Sequence, residues 1–407
     1  MTADPAELDD RSAATPAQDP VAPLSPIRVW VALLGLAAGA FLFVTLEFLP
    51  VGLLSQVADG LGVSQRTAGL LVTGHALCVV LTTIPLTAAL ARINRRWLLV
   101  ALLAVLASGA ALAATAPSFA VLFAARLLVA MAQGVFWTMS AALAATVVGP
   151  QRVGRGIAVV FGGISLAQVV GVPLFTFIGE QFSWRVAAGV LAVMAAVTAA
   201  VVLVALPDVP GLRGAGRPSL RPVLGNVRLL GATAVILVSF GAVYVTLTYF
   251  SPVVRQVTGT PAGAVPAFLL VFGIAGVAGN ALAGVLIDRR PAATLIGALG
   301  GVAVAAVLLV VGGGALPIAV LAIGIWGLCG SAFPTTFQTW ALSLAPEQAE
   351  NAGGLVVVAV NLGIALGALL GGALLSRGAT TLIVTTAALL GVALLAVVLA
   401  RRRRRTR

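Results

Sequence analysis

Three side chains that can carry charge lie inside stretches apolar enough to cross a bilayer: Glu47, His75 and Arg126. Burying such a group in hydrocarbon costs about 2.5–3.5 kcal/mol even on a lenient scale, so each must face protein or water and commonly serves a function. Glu47 stands in VWVALLGLAAGAFLFVTLEFLPVGLL, residues 29–54, and no other Asp or Glu lies deep within an apolar run. It reads either as a structural acid satisfied by a neighbour or as a group that takes up and releases a proton. His75 is the single histidine. Imidazole titrates in the range that suits proton exchange, although a lone histidine among apolar residues also serves as a hydrogen-bonded packing group. Metal binding is not implied, because no second histidine or paired cysteine accompanies it.

Depth counting links the acid to the arginine. At about 1.5 Å per residue, Glu47 falls roughly 9 Å beyond the middle of its helix, and Arg126, on a helix running the other way, roughly 10 Å to the same side. The two are level, so an ion pair between them is sterically reasonable. A permanent pair holds helices together, whereas a pair that opens on protonation can couple protons to movement of another molecule.

The elements that must position these groups are read from hydropathy. Of 407 residues, 60% are hydrophobic and 9% charged, and the mean hydropathy is +1.13; this is a membrane protein. The net charge of +12 does not indicate a nucleic-acid partner, because the arginines punctuate apolar runs and do not cluster on a polar face. Cys78 and Cys329 both lie in apolar stretches and imply no disulfide framework. Residues 1–27, with five acids and five prolines up to position 26, read as a disordered tail, and no secretory signal precedes the first helix.

Helices are expected at roughly 29–54, 67–91, 97–116, 118–148, 156–180 and 184–206, then at 229–251, 265–287, 293–312, 316–345, 352–376 and 379–400. With an N-terminus in the cytoplasm, inside segments carry 19 arginines and outside segments four, which places both termini inside. The segment 207–228, rich in Pro, Gly and Arg, reads as a cytoplasmic linker between two six-helix halves, 28–206 and 229–400, and residues 401–407 as a basic cytoplasmic tail. The halves echo each other: TAALARINRR (87–96) follows the second helix as GVLIDRRP (284–291) follows the eighth. The expectation is an all-α membrane protein with 12 transmembrane helices in two pseudo-symmetric six-helix bundles, and a binding site at the interface of the repeats.

These residues resemble the major facilitator superfamily, and within it the drug:proton antiporter-1 group of bacterial sugar, purine-ribonucleoside and chloramphenicol efflux proteins. EFLPVGLL (47–54), FQTW (337–340), APEQAENAGG (345–354) and NLGIALGALLGG (361–372) are similar to that group. The superfamily's loop motif is legible in the second half as Gly284, Leu286, Asp288, Arg289 and Arg290. In the first half Ala91 stands where the Asp is expected. Arg126 matches the membrane arginine of the fourth helix, and Gly171, Pro173 and Gly179 match a variant antiporter motif in the fifth. The charge-bearing residues Glu47, Arg126 and His75 are the candidates for proton coupling. The resemblance implies that helices 1 and 4 border a central cavity, whose wall would include Gln133, Trp137, Ser140, Tyr244, Thr248, Tyr249, Gln338, Trp340 and Asn361. Few charges and several aromatics suit a neutral or weakly polar solute.

Glycine spacing stands without the resemblance. Gly163, Gly171 and Gly179, like Gly363, Gly367 and Gly371, recur at intervals of four or eight, so each set forms one close-packing face. Pro173 predicts a bend. Together these features point to a secondary transporter exporting a small solute in exchange for protons, in a bacterial inner membrane, as a monomer, with the substrate, protons and lipid as its partners. No nucleotide-binding loop and no cofactor or metal site is implied. Proton-coupled uptake is the alternative within the class. A membrane sensor lacks the expected output domain, and an enzyme lacks a catalytic cluster.

Overall fold

The computed structural model describes residues 26–148, 153–206, 208, 225–345 and 349–405. Residues 1–25 of the expected tail 1–27 and most of the expected linker, 207 and 209–224, lie outside the described residues, while Pro26 and Ile27 at the end of that tail already belong to the first helix. Among the described residues twelve helices are long and apolar enough to cross a membrane and no strand occurs. In chain order they are α1 (Pro26–Leu61), α2 (Gln65–Leu90), α3 (Arg95–Ala114) and α4 (Phe119–Val148). A segmented α5 (Val153–Leu166, Ala167–Gly171, Val172–Gln181) and α6 (Trp184–Ala205) complete the first half. The second half has a two-piece α7 (Val227–Leu247, Phe250–Thr258), α8 (Val265–Arg289) and α9 (Pro291–Gly312). A two-piece α10 (Leu316–Gly330, Phe333–Leu344), α11 (Ala349–Leu374) and α12 (Ala379–Arg405) follow.

Several of these helices depart from uniform geometry, and prolines account for two of them. In α5 the middle piece is π-helical, immediately before Pro173; a wide turn there accommodates a ring that otherwise collides with the carbonyl four residues back. In α10 the helix breaks at Ser331 and Ala332, just ahead of Pro334. In α1 the helix bends at Leu53, three residues after Pro50. α1 also runs about two turns past the expected end at 54, α7 breaks at Thr248 and Tyr249, and α12 continues through its arginine run to Arg405. Arginine is a good helix former, which explains the last extension.

The two halves repeat one packing arrangement. α5 lies on α1: a methyl group at Gly163, Gly171 or Gly179 would run into Ala37, Thr45 or Leu53 respectively. Likewise α11 lies on α7, where Gly363, Gly367 and Gly371 approach Leu237, Gly241 and Val245. In lipid, where apolar burial gives little drive for association, such backbone contact is what draws helices together. The matched stripes therefore put α1 and α5 in the positions that α7 and α11 occupy in the other half.

One apolar core is confined to residues 32–206, around Phe43, Leu99 and Phe136. The other spans 229–397 and also takes in Val51, Leu54, Ala58, Ala68, Val72, Ala76 and Val172 of the first half. Between the halves, α11 packs on α2, α8 on the π segment and last piece of α5, and the last piece of α7 on α1. The halves thus join over the C-terminal part of α1, the start of α2 and the later pieces of α5, away from the arginine-rich end.

Candidate functional site

The site begins with a backbone defect. Pro50 has no N–H, so the carbonyl of Leu46, four residues earlier, lacks the donor a regular helix supplies. Arg126, buried on α4, fills the gap: its guanidinium donates to the Leu46 carbonyl at 2.7 Å and to the Glu47 carbonyl at 3.1 Å. Glu47 and Arg126 are level, as depth counting predicts. The contact differs in kind, however, because the guanidinium holds the backbone that carries Glu47 and not its carboxylate. A hydrogen-bond-poor turn of α1 captures the fork-shaped donor set first.

The carboxylate has a different partner. Gln133 lies seven residues after Arg126, two turns along the same face of α4, and its Nε2 donates to Glu47 Oε2 at 2.6 Å. The Gln133 carbonyl oxygen is buried and unpartnered. An amide in this position can serve both forms of the acid: it donates to a carboxylate and, after turning about its last bond, accepts from a carboxylic acid.

His75, 3% exposed, faces the Arg126 backbone and the Gln133 amide, yet neither ring nitrogen makes a hydrogen bond of ordinary geometry. Next to it Cys78 donates to the Leu127 carbonyl at 3.5 Å, fixing α2 against α4. Glu47, His75, Arg126 and Tyr244 line one small pocket, walled by Phe48, Val51, Val72, Ala76 and Ile364. The pocket draws on α1, α2, α4, α7 and α11, so both halves contribute to it.

The expected cavity residues divide into two groups. Tyr244 reaches this pocket. Trp137 is half-buried edge-on to Phe136, Gln338 is exposed, and Trp340 and Asn361 are partly exposed. Asn361 donates to the Val357 carbonyl of its own helix at 3.0 Å. The others are packed away. Ser140 turns its hydroxyl onto the Phe136 carbonyl, and Thr248 is fully buried at the break in α7.

Tyr249, 1% exposed, donates to the Ala368 carbonyl at 3.1 Å. Its ring fills a slot that exists because Gly69 of α2 and Gly371 and Gly372 of α11 have no side chains. It is a wedge between halves, not a wall of the cavity. Of the loop motif, Gly284 borders open space, Arg289 is exposed, and the Asp288 side chain lies outside what is described. In the first half Arg96 pairs with Asp208 at 3.7 Å, so an acid from beyond α6 stands near the loop that lacks one at Ala91.

A family model for the Major Facilitator Superfamily matches residues 36–356. The chain belongs to the Major Facilitator Superfamily. It is 36% identical over 352 residues to a Pseudomonas aeruginosa protein named transcription regulatory protein OpdE, covering 86% of this chain and 88% of that one. It is 34% identical to the uncharacterized MFS-type transporter YtbD of Bacillus subtilis, over 84% of this chain and 88% of the relative. To the purine ribonucleoside efflux pump NepI of Escherichia coli K12 it is 31% identical, over 84% and 87%.

Among solved structures it resembles a bacterial homologue of the human lysosomal transporter Spinster in an inward-facing, unoccupied conformation. There the TM-score is 0.76, with 16% identity and 93% and 98% of the two chains covered. It also resembles the nucleoside transporter NupG, with a TM-score of 0.75, 12% identity and 92% and 98% coverage. These two likenesses establish the major facilitator fold.

Proposed function

We propose that this major facilitator protein exports a small neutral or weakly polar solute in exchange for protons, and that Glu47 is the group that carries the proton. The observation behind the reading is the Gln133–Glu47 hydrogen bond beside Arg126, at a pocket built by both halves. An acid whose partner can either donate or accept suits alternate protonation states. Its place where the halves meet lets its charge bias their arrangement. Arg126 keeps the Glu47 turn of α1 in place, and His75 is a second titratable group within the same cluster. The name of NepI supports a purine ribonucleoside as a solute to test first, with sugars and drugs next.

The arginine distribution supports an arginine-rich end in the cytoplasm of a bacterial inner membrane, with both termini there. Bundle boundaries at 28–206 and 229–400, the cytoplasmic linker 207–228 and a monomeric state complete the reading. The name of OpdE favours one alternative, a membrane sensor that uses the fold without transport. A panel of nucleosides, sugars and drugs added to inverted vesicles, with a trapped pH probe, separates the two. Proton movement on addition of one class supports exchange; a binder that causes neither proton movement nor solute accumulation supports sensing. Reporter fusions after residues 215 and 405 should both report the cytoplasm.

A further inference from the structure

One polar pair in the second half is independent of the Glu47 site. On α8, Gly273 presses against the other half so closely that a methyl group there would strike the Gln168 carbonyl in the π segment of α5. Val277, Asn280 and Gly284 follow at four, seven and eleven residues and so continue the same helix face. At Gly273 that face is in contact, at Asn280 it is exposed, and at Gly284 an added methyl meets nothing within 4 Å. Asn280 therefore lies on the α8 face that meets α5 at Gly273, two turns nearer the arginine-rich end, where that face is no longer covered.

The amide of Asn280 does not hang free. Thr335, just past the break in α10, donates its hydroxyl to Asn280 Oδ1 at 2.6 Å. That bond fixes the orientation of the amide. It uses one Oδ1 lone pair and neither Nδ2 hydrogen, so an exposed donor and acceptor remain on the amide, with exposed Gln338 one turn further along α10. An adjacent donor and acceptor on an amide edge complements the donor–acceptor edge of an amino-substituted N-heterocycle, as when asparagine pairs bidentately with adenine.

The geometry points to Asn280, oriented by Thr335, as a specificity-determining contact for a neutral solute bearing such an edge, a purine nucleoside being the representative class. The inference rests on the transport reading above and adds to it a recognition point separate from the proton site. Gln168 and Gly273 mark one level, three residues from Gly171, which touches Thr45 near Glu47. Counting from there at 1.5 Å per residue places Asn280 roughly 18 Å nearer the arginine-rich end than Glu47. A solute of nucleoside size held by Asn280 does not touch Glu47, so changes at Asn280 should alter selectivity without altering coupling.

The test compares uptake of radiolabelled adenosine with that of radiolabelled purine riboside, which lacks the exocyclic amine, into inverted vesicles, with a trapped pH probe reporting proton movement separately. Wild type should show a KM for adenosine about tenfold below that for purine riboside, the low end of what one bidentate amide contact discriminates. Asn280→Ala should raise the adenosine KM about tenfold more than that of purine riboside, which keeps only the ring-nitrogen arm of the contact, so that the two become equal while protons moved per solute stay the same. Thr335→Val, which frees the amide without removing it, should close part of that gap, and it decides the matter should Asn280→Ala fail to fold. A ratio unchanged in a folded variant overturns the assignment, as does a wild type that responds equally to both nucleosides or to neither. Loss of proton movement with the ratio intact would instead count against the proton reading.

Discussion

The claim that Arg126 replaces the missing amide of Pro50 can be tested by giving that amide back. Arg126→Met keeps the length of the side chain but removes its donors to the Leu46 and Glu47 carbonyls. Hydrogen bonds from a charged donor contribute about 1.5–3 kcal/mol each, and a buried carbonyl left unpaired costs about 1–3 kcal/mol. Leu46 has no other donor while residue 50 is proline, so Arg126→Met alone should cost about 3–5 kcal/mol, part of it from the acid left beside it. Pro50→Ala restores an N–H directed at the Leu46 carbonyl and removes a helix-interior proline, so alone it should be neutral or stabilising.

In the Pro50→Ala background the Leu46 carbonyl no longer depends on the guanidinium. Arg126→Met should then cost about 1–2 kcal/mol less than in wild type. The charge effect on Glu47 is common to both backgrounds and cancels in the cycle. Equilibrium unfolding of the four proteins in mixed micelles gives the coupling directly. Additivity within about 0.5 kcal/mol, the usual limit for independent sites, would refute the link between Pro50 and Arg126.

Two further outcomes follow from the packing. Gly69→Leu fills the slot occupied by the Tyr249 ring and should hold the halves apart at the arginine-poor end; a cysteine placed at Gln56 should then label faster from outside, and an unchanged labelling rate counts against the wedge. Gly367→Ala puts a methyl against the Gly241 backbone and should destabilise by about 1–3 kcal/mol, whereas Gly284→Ala, which meets open space, should change stability little; equal effects in unfolding measurements would contradict the paired glycine stripes.

Much of the scaffold is legible in the residues because membrane spans need only length and apolarity, and because glycine spacing in α5 and α11 directly records a contact. The level placement of Glu47 and Arg126 is likewise a matter of counting. What Arg126 does is not, since a carbonyl freed by Pro50 on one helix gains a partner only when another helix is placed beside it. The spacing of Leu46 and Pro50 still carries the signal: a proline in a buried helix marks the carbonyl four residues back. Tyr249 reads as a cavity aromatic until its helix is seen to break beside it and turn the ring into glycines of two other helices. Asn280 stands among alanines and glycines with nothing nearby to mark it, and only its bond to Thr335, 55 positions away, sets it apart.

The central claim is that Glu47 carries the proton, and flux through inverted vesicles addresses it most directly. Glu47→Gln keeps the size of the side chain and a hydrogen bond to Gln133 but has no proton to release. Solute binding should survive in this variant, while solute-driven proton movement and accumulation against a gradient should fall to background. Proton-coupled accumulation at the wild-type rate in Glu47→Gln would contradict the account and pass the role to His75.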